Sequence, residues 1–123
     1  MSDYCKEKVL RVPLDKYGLN YEEFEEKFED KLGYGDKNKF QLAPTYRAFL
    51  DYVLNYNYGD NNDEWGRTRA LSSSEQEKYR DKFAEFIPEI DMNDVRLVEF
   101  CWYNCSEAPD YYDEENDDFY KKV

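Results

Sequence analysis

Val95-Arg96-Leu97-Val98-Glu99-Phe100-Cys101-Trp102-Tyr103 is the strongest strand signal in the chain. β-branched and aromatic residues fill it, and these suit a pleated, packed backbone. At period two, Val98, Phe100 and Trp102 share one face, and Val95, Leu97, Cys101 and Tyr103 share the other. Both faces are mostly apolar. The strand is therefore expected to be central and covered on both sides, or covered once and used in an interface. It needs a partner. The second strand signal, Val9-Leu10-Arg11-Val12-Pro13-Leu14, puts Leu10, Val12 and Leu14 on one face. Pro13 marks its end or an edge position. Pairing these two terminal strands is the simplest arrangement.

The segments between them read mostly as helix. Asp15-Lys16-Tyr17-Gly18 is turn chemistry. A helix is predicted from about Tyr21, with Asn20 as N-cap, Glu23 at the capping-box position, and Leu19 and Phe24 as a hydrophobic staple. Tyr21, Phe24, Phe28 and Leu32 form its apolar stripe, and Gly33 suits its C-terminal end. Tyr34–Gln41 reads as a loop, with a short third strand near Lys39–Leu42 as an option. A second helix is predicted over Ala43–Asn57, because Tyr46, Phe49, Leu50, Val53 and Leu54 follow helical spacing and Pro44 suits a first turn. Tyr58–Gly66 is polar loop. A third helix is predicted over Glu75–Phe86, with Ser73 and Gln76 or Ser74 and Glu77 as capping box. Tyr79, Phe83, Phe86 and Ile87 line its inner side, and Pro88 stops it.

The expected fold is therefore a small single α+β domain over residues 1–105. About three helices pack on a small sheet that includes the N- and C-terminal strands. Residues 106–123 form an acidic, tyrosine-rich C-terminal tail. Three helices on one face are enough to support an otherwise marginal two-stranded sheet. The chain's 123 residues suit one domain and leave little room for a second.

Composition narrows the chemistry. There is no histidine, so a Ser-His-Asp triad, a Cys-His pair and a histidine general base are excluded. Three cysteines without histidine cannot complete a usual zinc tetrahedron. The odd cysteine count points to a reducing compartment and three reduced, partly buried thiols. Cys101 and Cys105 are too far apart to bridge in an extended stretch, and Cys5 reaches Cys101 only if the terminal strands pair. No secretory leader and no apolar run long enough for a membrane helix is seen, so a cytoplasmic protein is expected. No cofactor is expected either, and no glycine-rich phosphate loop occurs. Asp60-Asn61-Asn62-Asp63-Glu64 resembles a calcium run, but Trp65 and Leu71 occupy the positions where an EF-hand needs glycine and glutamate. A turn is the better reading, and no metal is expected. Arg67 and Arg69 are expected to pair with the chain's own carboxylates.

The formal net charge is -12, from 29 acids and 17 bases. Phosphate backbones would be repelled, whereas basic surfaces would be attracted. The charge is uneven. The segment Asp110-Tyr111-Tyr112-Asp113-Glu114-Glu115-Asn116-Asp117-Asp118-Phe119-Tyr120 holds six acids, four aromatics and no base. One reading is a solvated tail that keeps the protein soluble. The other is a strip in which carboxylates imitate phosphates and rings imitate stacked bases. The first predicted helix adds Glu22, Glu25, Glu26 and Glu29 on adjacent outward positions. The alternative there is an ordinary solvated helix face, with Glu23 and Lys27 as an i, i+4 pair.

On that strip, the acidic first helix, the small size and the lack of catalytic machinery, the chain resembles small acidic phage-encoded inhibitors, including anti-CRISPR proteins and DNA mimics. The resemblance is one of composition, and such proteins share no common fold. It implies a non-catalytic, stoichiometric inhibitor that acts in the host cytoplasm. Its partner would be a basic nucleic-acid-handling protein, such as a Cas nuclease. Partner-binding residues would be Asp110, Asp113, Glu114, Glu115, Asp117 and Asp118 as phosphate surrogates, with Tyr111, Tyr112 and Phe119 packing on the partner. Glu22, Glu25, Glu26 and Glu29 would add a second acidic surface. Two other classes stay open. One is an assembly module that uses the apolar strand Val95–Tyr103. The other is an enzyme built on paired carboxylates, although no spacing singles out a pair.

Overall fold

The computed structural model describes residues 4–32, 39–44, 48–59 and 65–103. Among them, five strands form one antiparallel sheet: β1 (Tyr4–Pro13), β2 (Phe40–Pro44), β3 (Ala48–Gly59), β4 (Trp65–Ala70) and β5 (Arg96–Tyr103). Two α-helices accompany it, α1 (Tyr21–Phe28) and α2 (Ser73–Ala84). The spatial order is β2-β3-β1-β5-β4. The α+β class and the pairing of the terminal strands are as expected. β1 runs antiparallel to β5 from Tyr4 opposite Tyr103 to Arg11 opposite Arg96. β5 is interior, with β1 on one side and β4 on the other.

The expected helix over Ala43–Asn57 is incorrect. Its C-terminal part belongs to the long strand β3, which pairs with both β1 and β2. The i, i+3, i+4 spacing of Phe49, Leu50, Val53 and Leu54 arises because both faces of this strand carry apolar residues. Leu50 and Tyr52 lie opposite Val12 and Leu10 on one face, while Phe49, Asp51 and Val53 lie on the other. Two interleaved period-two patterns of this kind mimic a helical period. β-branched and aromatic residues (Phe49, Tyr52, Val53, Tyr56, Tyr58) favour the strand. A bulge completes the disguise. Lys8 pairs with Asn55 and Val9 with Val53, so Leu54 is the extra residue and the strand changes phase there. The optional third strand near Lys39–Leu42 exists as β2. The polar stretch after Gly59 leads into β4, which the sequence reading missed.

The main core lies on the face of the sheet that carries α1 and α2. Leu10, Val12, Leu50 and Leu97 from the strands meet Phe24, Phe83, Phe86 and Ile87 from the helical segments. Phe40 of β2 joins the helices, with ring centroids 4.5 Å from Phe86 and 5.2 Å from Phe83. Phe28 lies 4.7 Å from Phe24 and 5.1 Å from Phe86. Offset and edge-on pairs of this sort add roughly 0.5–1.5 kcal/mol each beyond burial. The residues predicted to line the last helix do reach the core, but α2 ends at Ala84, so Phe86 and Ile87 follow the helix rather than belonging to it.

Local signals fix the helix starts. Asn20 Oδ1 accepts the Glu23 N–H at 2.9 Å, as its cap position predicts. α1 ends at Phe28 and continues as a 3-10 turn, Glu29–Lys31. The predicted stop, Gly33, lies outside the described residues. Gly18, at φ 69°, takes the left-handed conformation that ends the 3-10 turn Leu14–Tyr17. The Tyr17 hydroxyl spans the chain, donating to Asp94 Oδ2 at 2.7 Å and accepting from the Asp91 N–H at 3.0 Å. Burial pushes this phenol well above the usual tyrosine range, and the Asp94 carboxylate adds to the rise.

The capping box of α2 stands one residue earlier than predicted. Ser72 Oγ accepts the Glu75 N–H at 3.3 Å, and Glu75 Oε1 accepts the Ser72 N–H at 2.9 Å. Arg69 grips both carboxylate oxygens of Glu75 at 2.8 and 2.9 Å. Those hydrogen bonds, the Arg69 pair foremost, hold the Glu75 carboxyl down to about 2. Removing the cap hydroxyl with Ser72→Ala is expected to lower stability by about 1 kcal/mol, read from chemical denaturation. An unchanged midpoint would show that the Arg69–Glu75 pair holds the terminus alone.

Candidate functional site

The predicted site residues fall into two groups. Asp110, Tyr111, Tyr112, Asp113, Glu114, Glu115, Asp117, Asp118 and Phe119 lie outside the described residues, as does the calcium-like run Asp60–Glu64. Glu22, Glu25 and Glu26 lie on α1, and Glu29 opens the following 3-10 turn. All four of these are exposed. The stripe Phe24, Phe28 and Leu32 docks this segment on the core, which turns its polar side outward. Between Tyr21 and Lys31 there are six acids and two lysines. Among the described residues, none of the four glutamates forms an ion pair. The expected Glu23–Lys27 pair is not formed either; the Lys27 ammonium sits 5.2 Å from the Phe28 ring centroid. α1 therefore presents largely uncompensated negative charge, repeating about every turn, ~5.4 Å.

A groove of about 340 Å3 lies beside this surface, lined by Tyr21, Glu25, Glu29, Leu32, Gln41 and Leu42. It runs between the α1 segment and the edge strand β2. The Tyr21 hydroxyl donates to Glu25 Oε2 at 3.0 Å. Partial burial raises the Tyr21 phenol, and this bond to Glu25 raises it further. Gln41 also reaches the other face of the sheet, where its Nε2 donates to Glu7 Oε1 at 2.7 Å.

Glu7 belongs to a buried polar cluster on the sheet face opposite the main core. Arg11 donates from Nε to Asp51 Oδ1 and from Nη2 to Asp51 Oδ2, both at 2.8 Å. Arg11 and Asp51 are 1% and 0% exposed, directly opposite each other on β1 and β3. The Arg11 guanidinium carbon lies 4.6 Å from the Phe49 ring centroid. Burial pushes the Glu7 carboxyl up to about 7. The charge of Asp51 adds to the rise, while Arg11 and the Gln41 amide oppose it. Glu7 and Asp51 thus share one buried cluster, although spacing did not single them out. The signal for Arg11 and Asp51 was present: each is one charge within an apolar run, Leu10-Arg11-Val12 and Leu50-Asp51-Tyr52. Reading residues 43–57 as helix hid the match.

Arg67 and Arg69 pair with the chain's own carboxylates, as expected: Arg67 Nη2 lies 3.0 Å from Glu99 Oε2, and Arg69 grips Glu75. β5, the strand of the assembly reading, has both backbone edges engaged, by β1 and by β4. Cys5 is disulfide-bonded, and Cys101 is buried and takes no part in a disulfide. The expectation of three reduced thiols therefore fails at Cys5. The Tyr56 hydroxyl lies 3.2 Å from the Cys5 sulfur, which has no proton to give and so accepts. Among the described residues there is no cluster of metal-ligating side chains, and no helix long and apolar enough to cross a membrane.

No protein-family model, no curated protein and no solved structure matches the chain.

Proposed function

We propose that this chain is an acidic, non-catalytic binding protein that inhibits a basic nucleic-acid-handling protein by nucleic-acid mimicry. A CRISPR effector such as a Cas nuclease, in the cytoplasm of a phage-infected host, is the partner this reading names. The observation that carries it is the exposed carboxylate row Glu22, Glu25, Glu26 and Glu29 on α1 and the 3-10 turn that follows, none of it in an ion pair among the described residues. A row of fixed anions on a docked helix attracts a groove built for phosphates, and it repels nucleic acid itself. The sequence adds six further acids between Asp110 and Asp118, interleaved with aromatic rings.

The test is capture of the partner from the native cell at low and high salt, followed by competition with the partner's own nucleic acid. The captured protein should be a basic nucleic-acid binder that releases its nucleic acid when this chain is added. Binding should fall steeply with salt. Glu22→Lys with Glu26→Lys should weaken it at least about tenfold, or about 1.4 kcal/mol. A partner without a basic groove, or binding unchanged both by this reversal and by truncation after Ser106, would sink the reading.

A further inference from the structure

The groove between α1 and β2 differs from the open acidic face beside it. It is lined by two half-buried leucines, Leu32 and Leu42, with Tyr21, the exposed Glu25 and Glu29, and Gln41. Its volume of about 340 Å3 is at the lower end of ligand pockets, roughly 300–1,000 Å3. The hydrogen-bonding character of the lining is one-sided. Glu25 and Glu29 carry carboxylates, which only accept. The one hydroxyl, on Tyr21, donates to Glu25. The Gln41 side chain is engaged on the other face of the sheet, where its amide nitrogen donates to Glu7. An occupant must therefore supply donors and positive charge at its tip and apolar surface along its stem.

We propose that this groove seats one arginine side chain of the basic partner. The inference rests on the acidic-surface reading above and assigns it a specific pocket. A guanidinium has five donors and no acceptor, which complements the two carboxylates of the lining, Glu25 and Glu29. Its planar fork fits a carboxylate two-fold, and it attracts an aromatic ring such as Tyr21. The aliphatic stem lies against Leu32 and Leu42. Glu25 and Glu29 are four residues apart, so they share one side of the helical segment. The Tyr21 hydroxyl fixes the Glu25 carboxylate before binding, which reduces the ordering that binding requires. A lysine ammonium is a compact point charge and cannot use the same planar geometry. The chain's own Lys27 is held over Phe28 and does not line the groove.

The experiment titrates the full chain with a hexa-arginine peptide at low salt and follows its backbone amides by NMR. Hexalysine and hexacitrulline serve as comparisons, citrulline having arginine's shape without its charge. Binding of hexa-arginine should shift the amides of Tyr21, Glu25, Glu29, Gln41 and Leu42 first, and hexacitrulline should shift none. Glu25→Gln with Glu29→Gln should weaken hexa-arginine at least about tenfold. Glu22→Gln with Glu26→Gln removes the same charge outside the groove and should weaken it less than about threefold. All four residues are exposed, so these variants keep the fold. Equal loss in the two double variants, or equal affinity for hexalysine, would overturn the arginine pocket and leave the acidic-surface reading standing. No binding of either basic peptide would overturn both.

Discussion

Asp51→Ala is expected to destabilise the protein by about 3–5 kcal/mol, because it leaves the Arg11 guanidinium buried without its carboxylate. Both partners are essentially inaccessible to water, and both hydrogen bonds are 2.8 Å long. In such a pair each ion offsets much of the other's desolvation, so losing one leaves a large part of that cost on the survivor. A domain of this size is typically stable by only 5–15 kcal/mol, so the variant would stand near the unfolding threshold. The converse change separates charge from packing. Arg11→Met with Asp51→Leu replaces the pair by apolar groups of similar size and should recover most of the loss. Urea denaturation of the two variants decides the matter. A loss under about 1 kcal/mol for Asp51→Ala would mean that the guanidinium finds another anion or water.

Glu7→Gln is expected to stabilise the protein by about 3 kcal/mol at pH 9 and to have little effect near pH 4.5. The folded Glu7 carboxyl titrates at about 7 against an ordinary value of 4.5. The folded state thus holds this proton where the unfolded chain has released it. Between these two values stability falls as pH rises, at up to 1.36 kcal/mol per pH unit, and it levels off above 7. Glutamine keeps the shape and an acceptor for Gln41 but has no proton to lose. The stability difference between the two proteins should therefore open between about pH 4.5 and 7 and stay constant above. Denaturation midpoints across pH 4–9 give that curve directly. A difference independent of pH would show that Glu7 is solvated in the folded state.

The two terminal strands, both helix N-termini and the exposed glutamates were legible in the sequence for local reasons. Asn20, the serine run before α2 (whose cap is Ser72 rather than Ser73 or Ser74) and the stripes Phe24–Phe28 and Phe83–Ile87 act within one or two turns, which is the range of sequence periodicity. β3 was illegible because its evidence is non-local. A strand with two apolar faces shows its period only relative to neighbours, here Val12 opposite Leu50 and Leu10 opposite Tyr52. The bulge at Leu54 breaks the alternation further. β4 was missed because Arg67, Thr68 and Arg69 carry no apolar face of their own; Arg67 and Arg69 answer to Glu99 and Glu75 instead. The same limit hid the Glu7–Arg11–Asp51 cluster, whose members meet only once β1 and β3 are in register. The groove likewise needs α1 and β2 side by side, so its glutamates were named but not its Leu42 or Gln41 wall.

The strand order has a temporal consequence. β1, which is made before the other four strands, sits at the centre of the sheet, between β3 and β5. Its second edge is closed only by β5, and Tyr4 must find Tyr103, nearly the whole described chain away. The central strand is thus fully paired only after β5 has been made. Loops this long must close before the contacts that reward them exist, which places the chain among slow folders, in the millisecond-to-second range. Until then the central strand carries an open edge, and nascent chains would depend on chaperones to keep it from pairing with the wrong partner.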